Sequence, residues 1–207
     1  MILWFASGND HKKKEIQDIA NDISKNCKIK IPLDDNIHFD PIEDGKTFLD
    51  NAIIKAKALY SIVHEPCLAD DSGLCVDCLE GSPGIYSSRY GAKDGILLTD
   101  TQRNNLLLSE VNAKNISGAI TARFICAAVL LIDENRFIVV QETLEGEITK
   151  NVCGTNGFGY DPIFYLPQLN CNLAELSTSK KNKISHRAKA MKVLLQHTLV
   201  FCQNQMA

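Results

Sequence analysis

The chain is short of the features that mark most non-globular proteins. Only 6 Pro, 12 Gly and 1 Trp occur in 207 residues, which excludes a collagen-like or low-complexity chain. No apolar run approaches the ~20 residues that cross a bilayer, and the run through Ile125–Ile132 falls far short of it. The opening Met1-Ile2-Leu3-Trp4-Phe5-Ala6 has no basic flank and turns polar at Ser7, so no secretory leader is expected there. Positive charge is not in excess either, since 22 Lys and Arg against 25 Asp and Glu leave a net charge of −3. Proteins that bind phosphate backbones broadly are usually basic. No nucleic-acid partner and no membrane partner are therefore expected, although one concentrated basic pocket is compatible with this balance.

What is present is an ordinary globular mixture, 45% hydrophobic and 23% charged. At about 150 residues per domain, the length suits one generous domain or two lobes sharing a core. No repeat, linker or composition break divides it, so residues 1–207 are read as a single domain. The eight Cys are scattered, several within apolar stretches such as Phe124-Ile125-Cys126-Ala127. They read as reduced, mostly buried thiols of a cytoplasmic protein. Cys75-x-x-Cys78 has neither a second CxxC nor a His pair to complete a zinc site.

Periodicity gives a coarse element order. Ile2–Ala6 is a buried-strand run, followed by the turn Ser7-Gly8-Asn9 and a helix carrying Ile16, Ile19, Ala20 and Ile23 on one face. Lys28–Leu33 alternates like a strand. Thr47-x-x-Asp50 is a capping-box start for a helix that buries Phe48, Ala52, Ala56, Leu59 and Val63. Cys67–Ala69 reads as a short strand ending at Asp70-Asp71-Ser72-Gly73. Thr99-x-x-Gln102 caps a helix ending near Val111. Ala119–Ile132 and Phe137–Leu144 read as strands of one hairpin, and a last helix from about Ser185 buries Ala188, Met191, Leu195 and Thr198. This order implies an α/β or α+β domain with a mixed sheet. Glycines cluster at residues 73–95 and 154–159, marking two long irregular loops of the kind that carry function.

Four segments carry possible chemistry. In Ser7-Gly8-Asn9-Asp10-His11-Lys12-Lys13-Lys14, three lysines crowd a helix start whose dipole favours anions; a bound phosphate chain would reconcile them, and so would a solvated surface. Lys180, Lys181, Lys183, His186, Arg187, Lys189 and Lys192 repeat that conflict at the last helix. Asp70-Asp71-Ser72 follows a strand, where adjacent residues face opposite ways, so one Asp faces any given ligand. Glu43 with Asp71 would suffice for Mg²⁺, which is held by one or two carboxylates plus phosphates and water. Finally, Gly157-Phe158-Gly159-Tyr160-Asp161-Pro162 brackets an aromatic with glycines, exposing a flat surface for a base; a plug over the core would look the same. The two glycine patterns that mark Rossmann and P-loop phosphate sites are both absent.

Six blocks occur in order: Ser7-Gly8-Asn9-x-x-Lys12, Thr47-Phe48-x-x-Asn51-Ala52-x-x-Lys55-Ala56, Ala69-Asp70-Asp71-Ser72-Gly73-Leu74, Gly84-Ile85-Tyr86-Ser87-Ser88-Arg89-Tyr90, Gly157-Phe158-Gly159-Tyr160-Asp161-Pro162 and Ile184-Ser185-His186-Arg187. From residue 2 to about 195 the chain resembles the inosine/xanthosine triphosphate pyrophosphatase family, with Cys75 and Cys78 outside the family pattern and Asp10-His11 at a variable part of it. The resemblance implies an α/β fold: an elongated mixed β-sheet flanked by helices, two lobes around a central cleft, and usually a homodimer. It implies hydrolysis of deaminated purine nucleoside triphosphates (ITP, dITP, XTP) to monophosphate and pyrophosphate with Mg²⁺. It also implies roles: Asp71 as general base or water-orienting carboxylate, sharing the metal with Glu43. Ser7, Gly8, Asn9, Asp10, His11, Lys12 and Ser72 fall to the substrate, mainly its phosphates. Phe158, Gly159, Tyr160 and Asp161 form the base platform, with Lys181, His186 and Arg187 around the base edge. Two alternatives remain open at this stage. One is a related pyrophosphatase for another modified nucleotide, which His186-Arg187 opposes. The other is a non-catalytic nucleotide sensor, which the presence of both Glu43 and Asp71 opposes.

Overall fold

The computed structural model describes residues 2–205, and the backbone only for His11 and residues 199–205. A seven-stranded sheet has the order β2-β1-β3-β4-β5-β6-β7. The strands are β1 (Ile2–Phe5), β2 (Lys28–Lys30), β3 (Cys67–Val76), β4 (Thr121–Leu131), β5 (Phe137–Ile148), β6 (Phe164–Leu166) and β7 (Cys171–Asn172). β1 pairs in parallel with β2 and β3, whereas β6 pairs antiparallel with β5 and β7, so the sheet is mixed. The helices are α1 (Asp10–Ile23), α2 (Phe48–Val63), α3 (Asp100–Ala113), α4 (Thr178–Ile184) and α5 (His186–Gln205). The expected α/β class with a mixed sheet and flanking helices is what the chain adopts.

Two compact units make up the chain. The first comprises Met1–Asp71, Cys126–Glu142 and His186–Ala207. One of its apolar clusters joins Leu3, Phe5, Ile16, Ile19, Ile29, Leu68, Leu130, Met191 and Leu195, and another joins Trp4, Ala52, Ala56, Leu59 and Val129. The second comprises Ser72–Ile125 and Thr143–Ser185, with a core of Leu74, Val76, Leu107, Phe124, Ile163, Phe164 and Leu173. Among the described residues no helix is long and apolar enough to cross a membrane.

The helix starts follow their caps. The Asn9 side chain accepts the Lys12 N–H to begin α1, and reciprocal capping boxes open α2 at Thr47/Asp50 and α3 at Thr99/Gln102. Elsewhere the structure corrects the sequence reading. β2 ends at Lys30 because Pro32 opens a 3₁₀ turn over Pro32–Asp35. β3 does not stop at Ala69: it runs through Asp70-Asp71-Ser72-Gly73 to Val76, since each carboxylate finds buried partners on its own face. β5 continues to Ile148. The lysine-rich segment before α5 forms the short helix α4, capped by Ser177. The stretch 73–95 is not one irregular loop, for its first residues belong to β3 and 3₁₀ turns occupy Asp77–Leu79 and Gly84–Arg89.

Candidate active site

Two groups of charged side chains stand out, one in each unit. In the first unit, consecutive residues of β3 carry different partners. Asp70 accepts hydrogen bonds from Lys12 Nζ at 3.0 and 3.1 Å and from Arg187 Nε at 3.1 Å. Arg187 Nη1 also donates to Glu15 Oε2 at 2.8 Å. Asp71 instead accepts from Asn51 Nδ2 at 3.1 Å and from Lys55 Nζ at 3.2 Å. The alternation of strand side chains thus sends one Asp to each set, as the sequence leads one to expect.

Lys55 Nζ also reaches Glu43 Oε2 at 3.0 Å, so one ammonium bridges the two carboxylates, Glu43 and Asp71. The segment carrying Glu43 is tied down next to α2, where Gly45 N–H donates to Asn51 Oδ1 at 2.9 Å. A Cβ on Gly45 would come within 2.6 Å of both Asn51 Oδ1 and Asp50 Cβ, so this approach requires glycine. Asn51 therefore links the Glu43 segment to Asp71 through its two amide atoms.

The charges in this group shift one another. Burial opposes ionisation of Asp70, yet Lys12, Arg187 and Lys55 hold its carboxyl far below the usual carboxylate range. For Asp71 burial wins and the carboxyl is raised, with Lys55 and Asn51 opposing. Lys55 is buried too, but Asp71, Asp70 and Glu43 raise it. Lys12 is lowered by burial, and the neighbouring Arg187 and Lys55 cations add to that against Asp70. Arg187 is raised by Glu15 and Asp70 in spite of its burial.

In the second unit the loop Gly157–Asp161 folds on itself. Asp161 Oδ2 accepts Phe158 N–H at 2.9 Å and Lys181 Nζ at 2.5 Å. Lys181 Nζ also lies 4.7 Å from the centroid of the Phe158 ring, a cation–π contact. Gly157 has φ +82°, and a Cβ there would collide with Asp161 Oδ2. Tyr160 is buried, and its hydroxyl donates to Ser87 O at 2.9 Å. Phe158 and Gly159 keep part of their surface exposed, whereas Tyr160 and Asp161 are buried.

The residues singled out in the sequence fall as follows. Ser7 and Asn9 organise the entry to α1: Ser7 Oγ accepts Asn9 N–H at 3.1 Å, and Gly8 and Asp10 are exposed. The His11 side chain lies outside the described residues. Of the lysines opening α1, Lys12 pairs with Asp70 and Lys13 with Asp34, while Lys14 is exposed. The second basic run is sorted by burial. Lys180, Lys183, Lys189 and Lys192 are exposed, whereas Lys181, His186 and Arg187 are buried. Lys181 joins Phe158 within the second unit, while His186 and Arg187 belong to the first. Arg187's partners there, Glu15 and Asp70, account for a charge that the helix dipole alone disfavours. Ser72 is half-buried on β3.

Sequence reasoning assigned no role to Asn51 or Lys55. They lie four residues apart on the face of α2 that buries Ala52, Ala56 and Leu59, and an amide and an ammonium on such a face were the available signal. Among the described residues no group of three or more His, Cys, Asp or Glu could hold a metal. The first unit thus holds a cluster of buried carboxylates and cations, and the second an aromatic ring beside an ammonium, in an α/β protein with a mixed sheet.

Comparison with known proteins places this class in one family. The model of the Ham1 family matches residues 3–197. The dITP/XTP pyrophosphatase of Treponema denticola is 50% identical over 191 residues, 92% of this chain and 95% of that protein. A HAM1 protein from Coxiella burnetii has a TM-score of 0.85 at 37% identity, covering 96% of this chain and 98% of its own. The Staphylococcus aureus Ham1 protein has a TM-score of 0.81 at 33% identity, covering 99% and 100%. The chain belongs to the Ham1 family.

Proposed function

We propose that this chain is a nucleoside triphosphate pyrophosphatase that hydrolyses dITP, ITP and XTP to the monophosphate and pyrophosphate, removing deaminated purines from the nucleotide pool. Residues 1–207 act in this reading as one catalytic domain. The observation that carries it is the Lys55 ammonium held between Glu43 and Asp71, at 3.0 and 3.2 Å, in a chain half identical to a dITP/XTP pyrophosphatase.

The same pair fits Mg²⁺, because two carboxylates that converge on one cation can take another, and Mg²⁺ completes its shell with phosphates and water. Bound there, the ion would neutralise charge developing on the phosphate oxygens. Asp71 is the acceptor for a proton of the attacking water, and burial that raises its carboxyl suits that task. In the reaction one P–O bond of the α,β-bridge breaks, the water oxygen takes its place, and pyrophosphate leaves. Lys12 and the capped start of α1, with Ser7, Gly8 and Asn9, receive the phosphates, and Ser72 assists them.

Phe158 stacks on the base, a contact worth about 1–3 kcal/mol in such platforms. Lys181 offers only donors, which suit the 6-oxo group of hypoxanthine or xanthine and oppose the 6-amino group of adenine. A homodimer in the cytoplasm completes the reading, and sedimentation of the purified protein tests its oligomeric part. The central experiment is pyrophosphate release from ITP, XTP, dITP, GTP and ATP with Mg²⁺. Turnover of ITP, dITP and XTP well above ATP, giving IMP and pyrophosphate from ITP, is the expected result. IDP and orthophosphate would assign a different phosphohydrolase.

A further inference from the structure

The second unit contains one arrangement that the reaction above does not use. Gly159, the residue after Phe158, has both of its peptide groups held by the first two turns of α3. Asp100 Oδ2 accepts Gly159 N–H at 2.6 Å, and Asn104 Nδ2 donates to Gly159 O at 3.1 Å. Residues 100 and 104 are one helical turn apart on the same face, so a rigid element grips both ends of one residue.

The grip is itself braced. Thr99 and Gln102 cap α3 reciprocally. The other oxygen of Asp100 takes Arg103 Nη2, and Arg103 Nη1 donates to Leu98 O at 2.5 Å. Asn104 is buried, with its Oδ1 unpartnered among the described residues, so its position there is maintained at an energetic cost. The loop it holds has every reason to wander: Gly154, Gly157 and Gly159 all have positive φ, and such a segment loses much backbone entropy when ordered. Asp161 fixes the N–H of Phe158 from one side, and α3 fixes the next residue from the other.

We propose that Asp100 and Asn104 are positioning residues that set the angle and height of the Phe158 ring, and through it the affinity for the purine base. They touch no reacting atom. This inference rests on the base-stacking role proposed for Phe158, and it assigns the control of that role to α3.

Asp100→Ala removes the acceptor, while Asp100→Asn keeps an oxygen for Gly159 N–H. In Asp100→Ala, KM for ITP should rise about tenfold, the value of one charged hydrogen bond, with kcat within about twofold of wild type. Inorganic tripolyphosphate has no base, so its constant as a competitive inhibitor should stay unchanged. Asp100→Asn should recover KM to within about threefold, and Asn104→Asp, which turns the donor into an acceptor, should raise it again. The Gly159 amide should exchange with solvent faster in Asp100→Ala than in wild type. A KM for ITP that does not move, or one that rises in step with the tripolyphosphate constant, overturns the proposal. So does Gly159 exchange as slow as in wild type. Should wild type fail to turn over ITP, the functional reading falls, and the exchange comparison by itself decides whether α3 holds the loop.

Discussion

Asp70 and Asp71 are neighbours on β3, yet Asp70 is bound by Lys12 and Arg187 while Asp71 is bound by Asn51 and Lys55. One carboxylate is enclosed by cations and fixed. The other, raised by burial, shares its ammonium with Glu43. In the function proposed above the first is structural and the second takes part in the chemistry, and the two residues are separable by mutation.

Asp71→Asn keeps the volume and loses the negative charge. Turnover of ITP should fall about 10²–10⁴-fold, the usual worth of a positioned proton acceptor, while the thermal midpoint changes little. Steady-state kinetics beside a melting curve check this. Activity within a few-fold of wild type at saturating Mg²⁺ would remove Asp71 from the mechanism.

Arg187→Ala leaves Glu15 and Asp70 buried without their shared cation. Breaking a buried pair of this kind costs about 3–5 kcal/mol, so urea unfolding should show a loss of that order. A loss below about 1 kcal/mol, combined with a selective fall in activity on ITP over ATP, would return Arg187 to the base edge.

Lys181→Met removes a donor at the Phe158 ring and the cation on Asp161. The kcat/KM for ITP should fall by about one to two orders of magnitude, as for a lost charged hydrogen bond. Activity on ATP should fall less, because adenine presents no acceptor at that position. Equal losses on both substrates would make Lys181 a brace for the loop and not a reader of the base.

Thiol chemistry offers a pH test. Burial, with Glu65 nearby, pushes Cys67 up to about 12, and the residue has no exposed surface, whereas Cys153 is exposed. At pH 8, iodoacetamide followed by peptide mapping should label Cys153 and spare Cys67. An acid raised in the folded state favours folding at low pH. Cys67's share of the stability is thus fully present below about 8.5, the thiol's ordinary value, and is lost as pH climbs toward about 12. Rapid labelling of Cys67 at pH 8 would contradict its burial.

The elements that local chemistry determines were readable beforehand. Thr47/Asp50 and Thr99/Gln102 announce α2 and α3, and the apolar spacing of Ile16, Ile19 and Ala20 announces α1. What escaped depends on partners distant in the chain. Two adjacent aspartates look like a strand's end because carboxylates are costly in a sheet. β3 continues through them because Lys12 and Arg187, 58 and 117 residues from Asp70, arrive to pair with it. α4 has no apolar period to betray it, since its buried member is Lys181. The site motifs around Asp71 and Phe158 were visible as residues. The grip of Asp100 and Asn104 on Gly159 was not, because the bonded atoms lie 59 and 55 positions apart and two of them are backbone.

The ion pair between Glu15 and Arg187 spans 172 residues, and it sets a timetable for biosynthesis. α1 leaves the ribosome early, but the surface it buries includes Ala188, Met191 and Leu195 of α5. Until α5 has emerged, Ile16 and Ile19 lack that cover and the carboxylates of Glu15 and Asp70 lack their guanidinium. Contacts of such long sequence separation form late and slowly. Ser185, the last residue of the second unit, precedes Arg187 by only two positions, so α1 waits through the translation of that entire unit before its partner exists.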